Sequence, residues 1–147
     1  IAERSAQLGL PEILFNLFPG MGAFSFLSRR LDIVRAEKMM LSGRLYGAAE
    51  LHDMGVVDYL VEDGTGVAAV EDFAREFGRT ANARKAILKA RKMIAPVTYE
   101  ELLAVTDLWV DAALSLDGKD LRKMNHLAKA QDRRWARVTG GRQLAAE

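Results

Sequence analysis

The sequence predicts an α/β chain, mostly helical with short strands, and three observations carry that reading. Apolar residues recur at helical spacing through most of the chain, as at Phe24, Leu27, Leu31 and Val34. Short apolar runs sit near the start and at residues 56 to 61, too brief for helices and bounded by turn residues. Composition changes after Gly66, where four helix-period segments follow one another, separated by Gly78, Pro96 and Gly118.

In chain order, Ile1 to Arg4 reads as the end of a strand and Ser5 to Leu10 as a short connection. Residues 9 to 22, Gly9-Leu10-Pro11-Glu12-Ile13-Leu14-Phe15-Asn16-Leu17-Phe18-Pro19-Gly20-Met21-Gly22, are the most heavily punctuated stretch. They hold two of the three prolines and three of the twelve glycines. Residues 12 to 18 alternate poorly and predict a buried turn-and-strand element. Gly22 opens a helical pattern with Arg29 and Arg30 on its wet side. Asp32 is placed to cap a second helix through Leu41, ended by Ser42-Gly43. Leu45-Tyr46 reads as an extended link, Ala48 to Met54 as a short helix with Gly55 at its C′ position, and Val56 to Val61 as a strand.

Beyond Gly66 the helices fall at about 67 to 77, 81 to 94, 98 to 116 and 119 to 138. Thr98 with Glu101 forms a capping box, and Asp117-Gly118 is a stop. Leu102, Thr106, Trp109, Ala113 and Leu116 share one helix face, widened by Tyr99, Leu103 and Val110. Met124, Leu127 and Ala128 mark the apolar side of the last helix. Gly140-Gly141 loosens a tail expected to be disordered. The organisation is therefore 1–65, 66–139 and the tail 140–147.

Composition excludes several function classes. The 147 residues carry a net charge of +1, so no global field draws the chain to nucleic acid or a membrane. Half of the residues are apolar, enough for a core, yet no run reaches the ~20 residues of a membrane span. There are no cysteines, hence no disulfides or thiolate metal sites, which fits a reducing, cytoplasmic location. His52 and His126 each stand alone, without ligand partners at metal spacing. Ser25, Ser28 and Ser42 lack the strand-turn-helix context of a nucleophile.

Glu12 is the acid that stands out. Pro11 fixes the backbone before it, and Leu10, Ile13, Leu14 and Phe15 surround it. Two readings stay open. Pro-Glu is a common first-turn pair, with the acid at the positive end of a helix. Alternatively, apolar burial disfavours a carboxylate's charge, and a carboxyl poised near neutrality suits proton transfer. Gly20 and Gly22 allow a tight turn and a close backbone approach nearby.

Pro11-Glu12-Ile13 followed by Phe18-Pro19-Gly20-Met21-Gly22 resembles the signature of the enoyl-CoA hydratase/isomerase (crotonase) superfamily. Ala36-Glu37-Lys38-Met39-Met40-Leu41-Ser42-Gly43 resembles its A-x-x-x-x-L-T-G helix and turn. Ala48 through Asp58 resembles its A-x-E-A-x-x-x-G-L-V-D stretch. A finer likeness, in Asn16 to Ala23, Ser25 to Arg30 and Thr106 to Ala113, is to the synthases of cis-2-unsaturated fatty-acid signals. The resemblance implies that residues 1–65 end a crotonase (ClpP-like) core and that the rest is its C-terminal helical region. It implies that the family's oxyanion-hole donors and second catalytic glutamate lie upstream of the Pro-Glu segment, so that this chain alone would be inactive. It implies Glu12 as the catalytic acid or base, and an acyl pocket along Met21, Trp109 and Leu127. Leu10 and Gly20, beside Glu12, join them as substrate-binding candidates.

The implied reaction is dehydration of a 3-hydroxyacyl thioester, with thioester hydrolysis where the product is a 2-unsaturated fatty-acid signal. The alternatives are an ordinary enoyl-CoA hydratase or isomerase, and a non-catalytic scaffold. No cofactor or metal is implied; the substrate rides on coenzyme A or acyl carrier protein. The basic helix carrying Arg79, Arg84, Lys85, Lys89, Arg91 and Lys92 is either a solvated amphipathic helix or a dock for such an acidic carrier. A trimer-based homo-oligomer is the implied assembly.

Overall fold

The computed structural model describes residues 1–144, with side chains described through residue 136. Strand β1 (Ala2–Glu3) opens the chain, followed by β2 (Gln7–Gly9) and a 3-10 turn at Glu12–Phe15. Helices α1 (Ala23–Arg30) and α2 (Ile33–Ser42) lead to β3 (Leu45–Gly47), α3 (Ala48–Asp53) and β4 (Leu60–Val61). Four helices complete it: α4 (Gly66–Arg79), α5 (Ala81–Ile94), α6 (Tyr99–Leu114) and α7 (Gly118–Leu144). α7 thus runs through Gly140-Gly141, where the sequence predicts a loosened tail; the rest of that tail, 145–147, lies outside the described residues.

The strands form two ribbons. β1 pairs with β4 in parallel, Ala2 opposite Leu60 and Glu3 opposite Val61. β2 pairs with β3 antiparallel, with Leu8 opposite Tyr46. The connection expected at 5 to 10 and the link at 45 to 46 are therefore strands that find each other. The run from Val56 to Val61 shrinks to its last two residues. The amides of Val56 and Val57 both donate to Leu51 O, at 2.8 and 3.1 Å, closing α3 instead of joining a ladder.

The core lies between α2, β3 and α3. Met39, Tyr46 and Leu51 are buried together, with Leu27, Met54, Val56 and Val57 packed around them. Asp32 caps α2 by accepting the Arg35 amide at 2.8 Å, and Gly43 ends it in the left-handed conformation at φ 60°. Helices α4, α5 and α6 contribute no fully buried residue. α4 and α5 are joined instead through Arg84, whose guanidinium lies over the rings of Phe73 and Phe77.

Two clips tie the end of α1 to later parts of the chain, one to the loop after α3 and one to α6. Arg30 pairs with Asp58 and donates to Gly55 O at 2.7 Å. Arg29 pairs with Glu101 and donates to Pro96 O at 2.6 Å. The two arginines expected on the wet side of α1 are thus pinned to later elements. Thr98 accepts the Glu101 amide at 3.1 Å as a helix cap, but the Glu101 carboxylate turns to Arg29, so only half of the capping box forms. Asp117 is a start signal rather than a stop: its carboxylate accepts the amides of Lys119 and Asp120 at 2.7 and 2.9 Å and opens α7.

Candidate functional site

The segment from Leu10 to Gly22 carries the site candidates. Pro11 leads into the 3-10 turn, and the strand expected within 12 to 18 does not form. The Leu17 amide bonds back to Glu12 O at 3.1 Å, and Asn16 takes the left-handed conformation at φ 63°. Left-handed backbone cannot continue a strand, and Asn tolerates it better than most residues. Phe15, Leu17 and Pro19 are buried, so their side chains fasten the segment to the body of the protein.

Glu12 is half-buried, and its Oε2 atom is fully buried without a hydrogen-bond partner. It does stand in the first turn of a helical element, as one reading of the sequence has it. That element is only four residues long, and so short a turn offers little dipole to reward a charge. A buried polar oxygen left unmatched costs free energy, about 1–3 kcal/mol, and marks a place where function is to be sought.

Two contacts from the C-terminal helices hold this segment. Trp109 of α6 donates from Nε1 to Phe18 O at 3.0 Å. Its indole lies so close to Gly20 that a Cβ there would stand 2.9 Å from Nε1. Glycine is required at position 20 by that ring. From α7, Asp120 Oδ2 accepts Asn16 Nδ2 at 3.2 Å. Leu127 of α7 lines a shallow groove of about 380 Å³ with Leu14, Arg122, Lys123 and His126.

The residues singled out by sequence therefore separate. Glu12, Gly20 and Trp109 belong to one fastened unit. Leu10 is half-buried where the chain enters the turn. Leu127 lies at the groove on the Leu14 side. Met21 is fully exposed and held at φ 56° between the two glycines. Sequence reasoning missed Asn16, Phe18 and Asp120. Asn in a left-handed turn is a recognisable signal, but partners about a hundred positions away leave no trace in a single sequence.

The charged groups nearby are arranged for attachment. The Arg29 guanidinium holds the Glu101 carboxyl below its ordinary range, and the Ser25 hydroxyl adds to this without reaching hydrogen-bond geometry. The backbone amides of Asp120 and Lys119 hold the Asp117 carboxyl low as well. Among the described residues no group of His, Cys, Asp or Glu side chains is placed to hold a metal ion. No described helix is long and apolar enough to cross a membrane.

Comparison with known proteins agrees with this architecture. Residues 1–133 match the family model described as enoyl-CoA hydratase/isomerase. The chain is 32% identical over 85 residues to the peroxisomal bifunctional enzyme of Danio rerio, covering 58% of this chain and 12% of that protein. It is 28% identical over 94 residues to the short-chain-enoyl-CoA hydratase of Clostridioides difficile, covering 64% of this chain and 59% of that one. The crystal structure of carnitinyl-CoA hydratase from Mycobacterium avium superposes with a TM-score of 0.60 at 24% identity, over 89% of this chain and 51% of that chain. At that identity the superposition shows the shared fold. The chain spans less than two thirds of each of these proteins. A family match over residues 1–133, joined to a shared fold, makes the chain a member of the enoyl-CoA hydratase/isomerase (crotonase) family.

Proposed function

We propose that the whole protein hydrates or dehydrates acyl thioesters at the carbons next to the thioester carbonyl, with Glu12 as the proton-transfer group. The buried, unpartnered Glu12 Oε2 is the observation that supports this best. In the hydration direction, water adds across C2=C3 of a 2-enoyl thioester. The hydroxyl goes to C3 and a proton to C2, and the reverse step expels water. Glu12 can supply or accept the proton, or activate the water. A carboxyl held by its backbone, with one oxygen free, is suited to that work.

Coenzyme A is the carrier best supported by the relatives, and acyl carrier protein is the second. The finer reading is a synthase of cis-2-unsaturated fatty-acid signals, which would add hydrolysis of the thioester by water. It draws support from the Thr106 to Ala113 stretch, whose Trp109 touches the Glu12-bearing segment. Under both readings Leu10, Gly20, Met21, Trp109 and Leu127 are the substrate-side residues, the assembly is a trimer-based homo-oligomer, and the site of action is the cytoplasm.

The deciding experiment is Glu12→Gln in the whole protein. The amide keeps the size of the side chain but cannot exchange a proton. Turnover of 2-enoyl-CoA should fall about 10²–10⁴-fold, the usual worth of a positioned acid or base, with folding nearly unchanged. A folded variant with near wild-type turnover would refute the assignment. Release of a free 2-unsaturated acid from a 3-hydroxyacyl thioester separates the signal synthase from the ordinary hydratase.

A further inference from the structure

We infer that Trp109 and Asp120 are positioning residues for Glu12, fixing the acid from the C-terminal helices through the backbone that carries it. The inference rests on Glu12 being the proton-transfer group.

Three observations lead to it. First, Glu12 Oε2 has no hydrogen-bond partner, so no polar contact at that oxygen steers the carboxylate. Its place is set by the backbone that carries it. Second, that backbone is a four-residue 3-10 turn running into a loop, and neither element has a ladder or a long helix to stiffen it. Third, the loop is bonded to later helices at two points on either side of Leu17. Asn16 reaches Asp120 of α7 at 3.2 Å, and Phe18 O accepts from Trp109 of α6 at 3.0 Å. The Leu17 amide between them bonds to Glu12 O at 3.1 Å. The Asn16 amide also donates to Glu12 O, so the two anchors hold the stretch that is hydrogen-bonded to the Glu12 backbone.

The anchors differ in kind. The indole of Trp109 also lies flat enough against Gly20 to forbid a side chain there, so it limits the turn by shape as well as by its N–H. Asp120 acts through its carboxylate alone, from the first turn of α7. A displacement of about 1 Å in a reacting group, caused at a distance, can cost about 10²-fold in rate. Loosening either anchor is therefore expected to appear chiefly in kcat.

The test uses the whole protein on 2-enoyl-CoA. Trp109→Phe keeps an aromatic ring and removes the donor. Asp120→Ala removes the acceptor, while Asp120→Asn retains an oxygen for Asn16. Trp109→Phe and Asp120→Ala should each lower kcat about 10- to 100-fold with KM within about threefold, and Asp120→Asn should recover most of the loss. In a Glu12→Gln background, Trp109→Phe should produce no further loss, because the group it positions is gone. Equal loss in both backgrounds overturns the inference. So does unchanged kcat in the anchor variants, or a Trp109→Phe enzyme that only re-ranks acyl chain lengths, which would make the indole a pocket wall. If Trp109→Phe does not fold, the Ala and Asn variants of Asp120 decide alone. If Glu12→Gln itself leaves turnover intact, the acid–base assignment is what fails; if it abolishes turnover while the anchor variants do not, only the positioning claim fails.

Discussion

Arg29 grips Glu101 through both terminal nitrogens, Nη2 to Oε2 at 2.5 Å and Nη1 to Oε1 at 2.7 Å, and so joins α1 to the first turn of α6. Its Nη2 also donates to Pro96 O, fixing the bend that precedes α6. Because α6 carries Trp109, this ion pair sets where the indole meets the Phe18–Gly20 turn.

An acid-dependent loosening of α6 follows. The Glu101 carboxyl is held below its ordinary value of 4.5 by Arg29. A lowered folded value means that the stabilisation is fully present above the ordinary value and is lost as pH falls through the folded one. Thermal melts of the wild type and of Glu101→Gln should differ at pH 7 and converge as pH drops below about 4. Side chains about 30% exposed are partly screened, so the gap will be modest and will shrink in high salt. Curves that keep the same separation from pH 7 to pH 3 would show that the pair contributes nothing.

Gly43 bears on the site from the other side. It sits at φ 60°, and an added Cβ would stand 2.8 Å from both Ile13 Cγ2 and Leu14 Cδ2 on the 3-10 turn. Gly43→Ala should cost about 1–2 kcal/mol for left-handed backbone, with a further loss from pushing that turn aside. Urea unfolding measures the first effect, and turnover in the whole protein measures the second. A change under about 0.5 kcal/mol would mean that the turn yields freely.

Leu51 tests where the core lies. It is completely buried against Met39 and Tyr46. Leu51→Ala should lower stability by about 2–5 kcal/mol, through lost burial and the cavity left behind. A denaturation midpoint near wild type would place the core elsewhere.

The outer helices bear on assembly. Val67, Met93, Ile94 and Leu114 are all more than three-quarters exposed, and α4 to α6 bury no residue completely. Exposed apolar side chains that lie contiguously usually meet a partner. Sedimentation of the chain at micromolar concentration should show a self-associated species. A monomer with a sharp, cooperative melt would argue against it.

Much of the fold is legible in the sequence where the signal is local. Asp32 and Gly43 bracket α2 as capping chemistry requires, and Gly78, Pro96 and Gly118 fall at or beside the joints between the last four helices. The misread elements are those decided by distant partners. Gln7 to Gly9 is a strand because Leu45 to Gly47 pairs with it, and Val56 is not one because Leu51 O takes its amide. The site divides the same way. Glu12 stands out through Pro11 and its apolar neighbours, whereas Asn16, Phe18 and Asp120 matter through contacts that no spacing rule encodes. Met21 stands fully exposed between two glycines, a setting that its motif does not disclose.

The Trp109–Phe18 and Asn16–Asp120 bonds join residues 91 and 104 positions apart. Closing loops of that length is slow compared with forming the nearby contacts of α1, α2 and α3. The central cluster can therefore assemble before the last two helices arrive, leaving the Glu12-bearing turn unfastened in the meantime. By the same logic the turn is among the first parts to open, so amide exchange along residues 12 to 22 should outpace that of α2. A protein built this way gains its active geometry at the end of folding and gives it up at the start of unfolding.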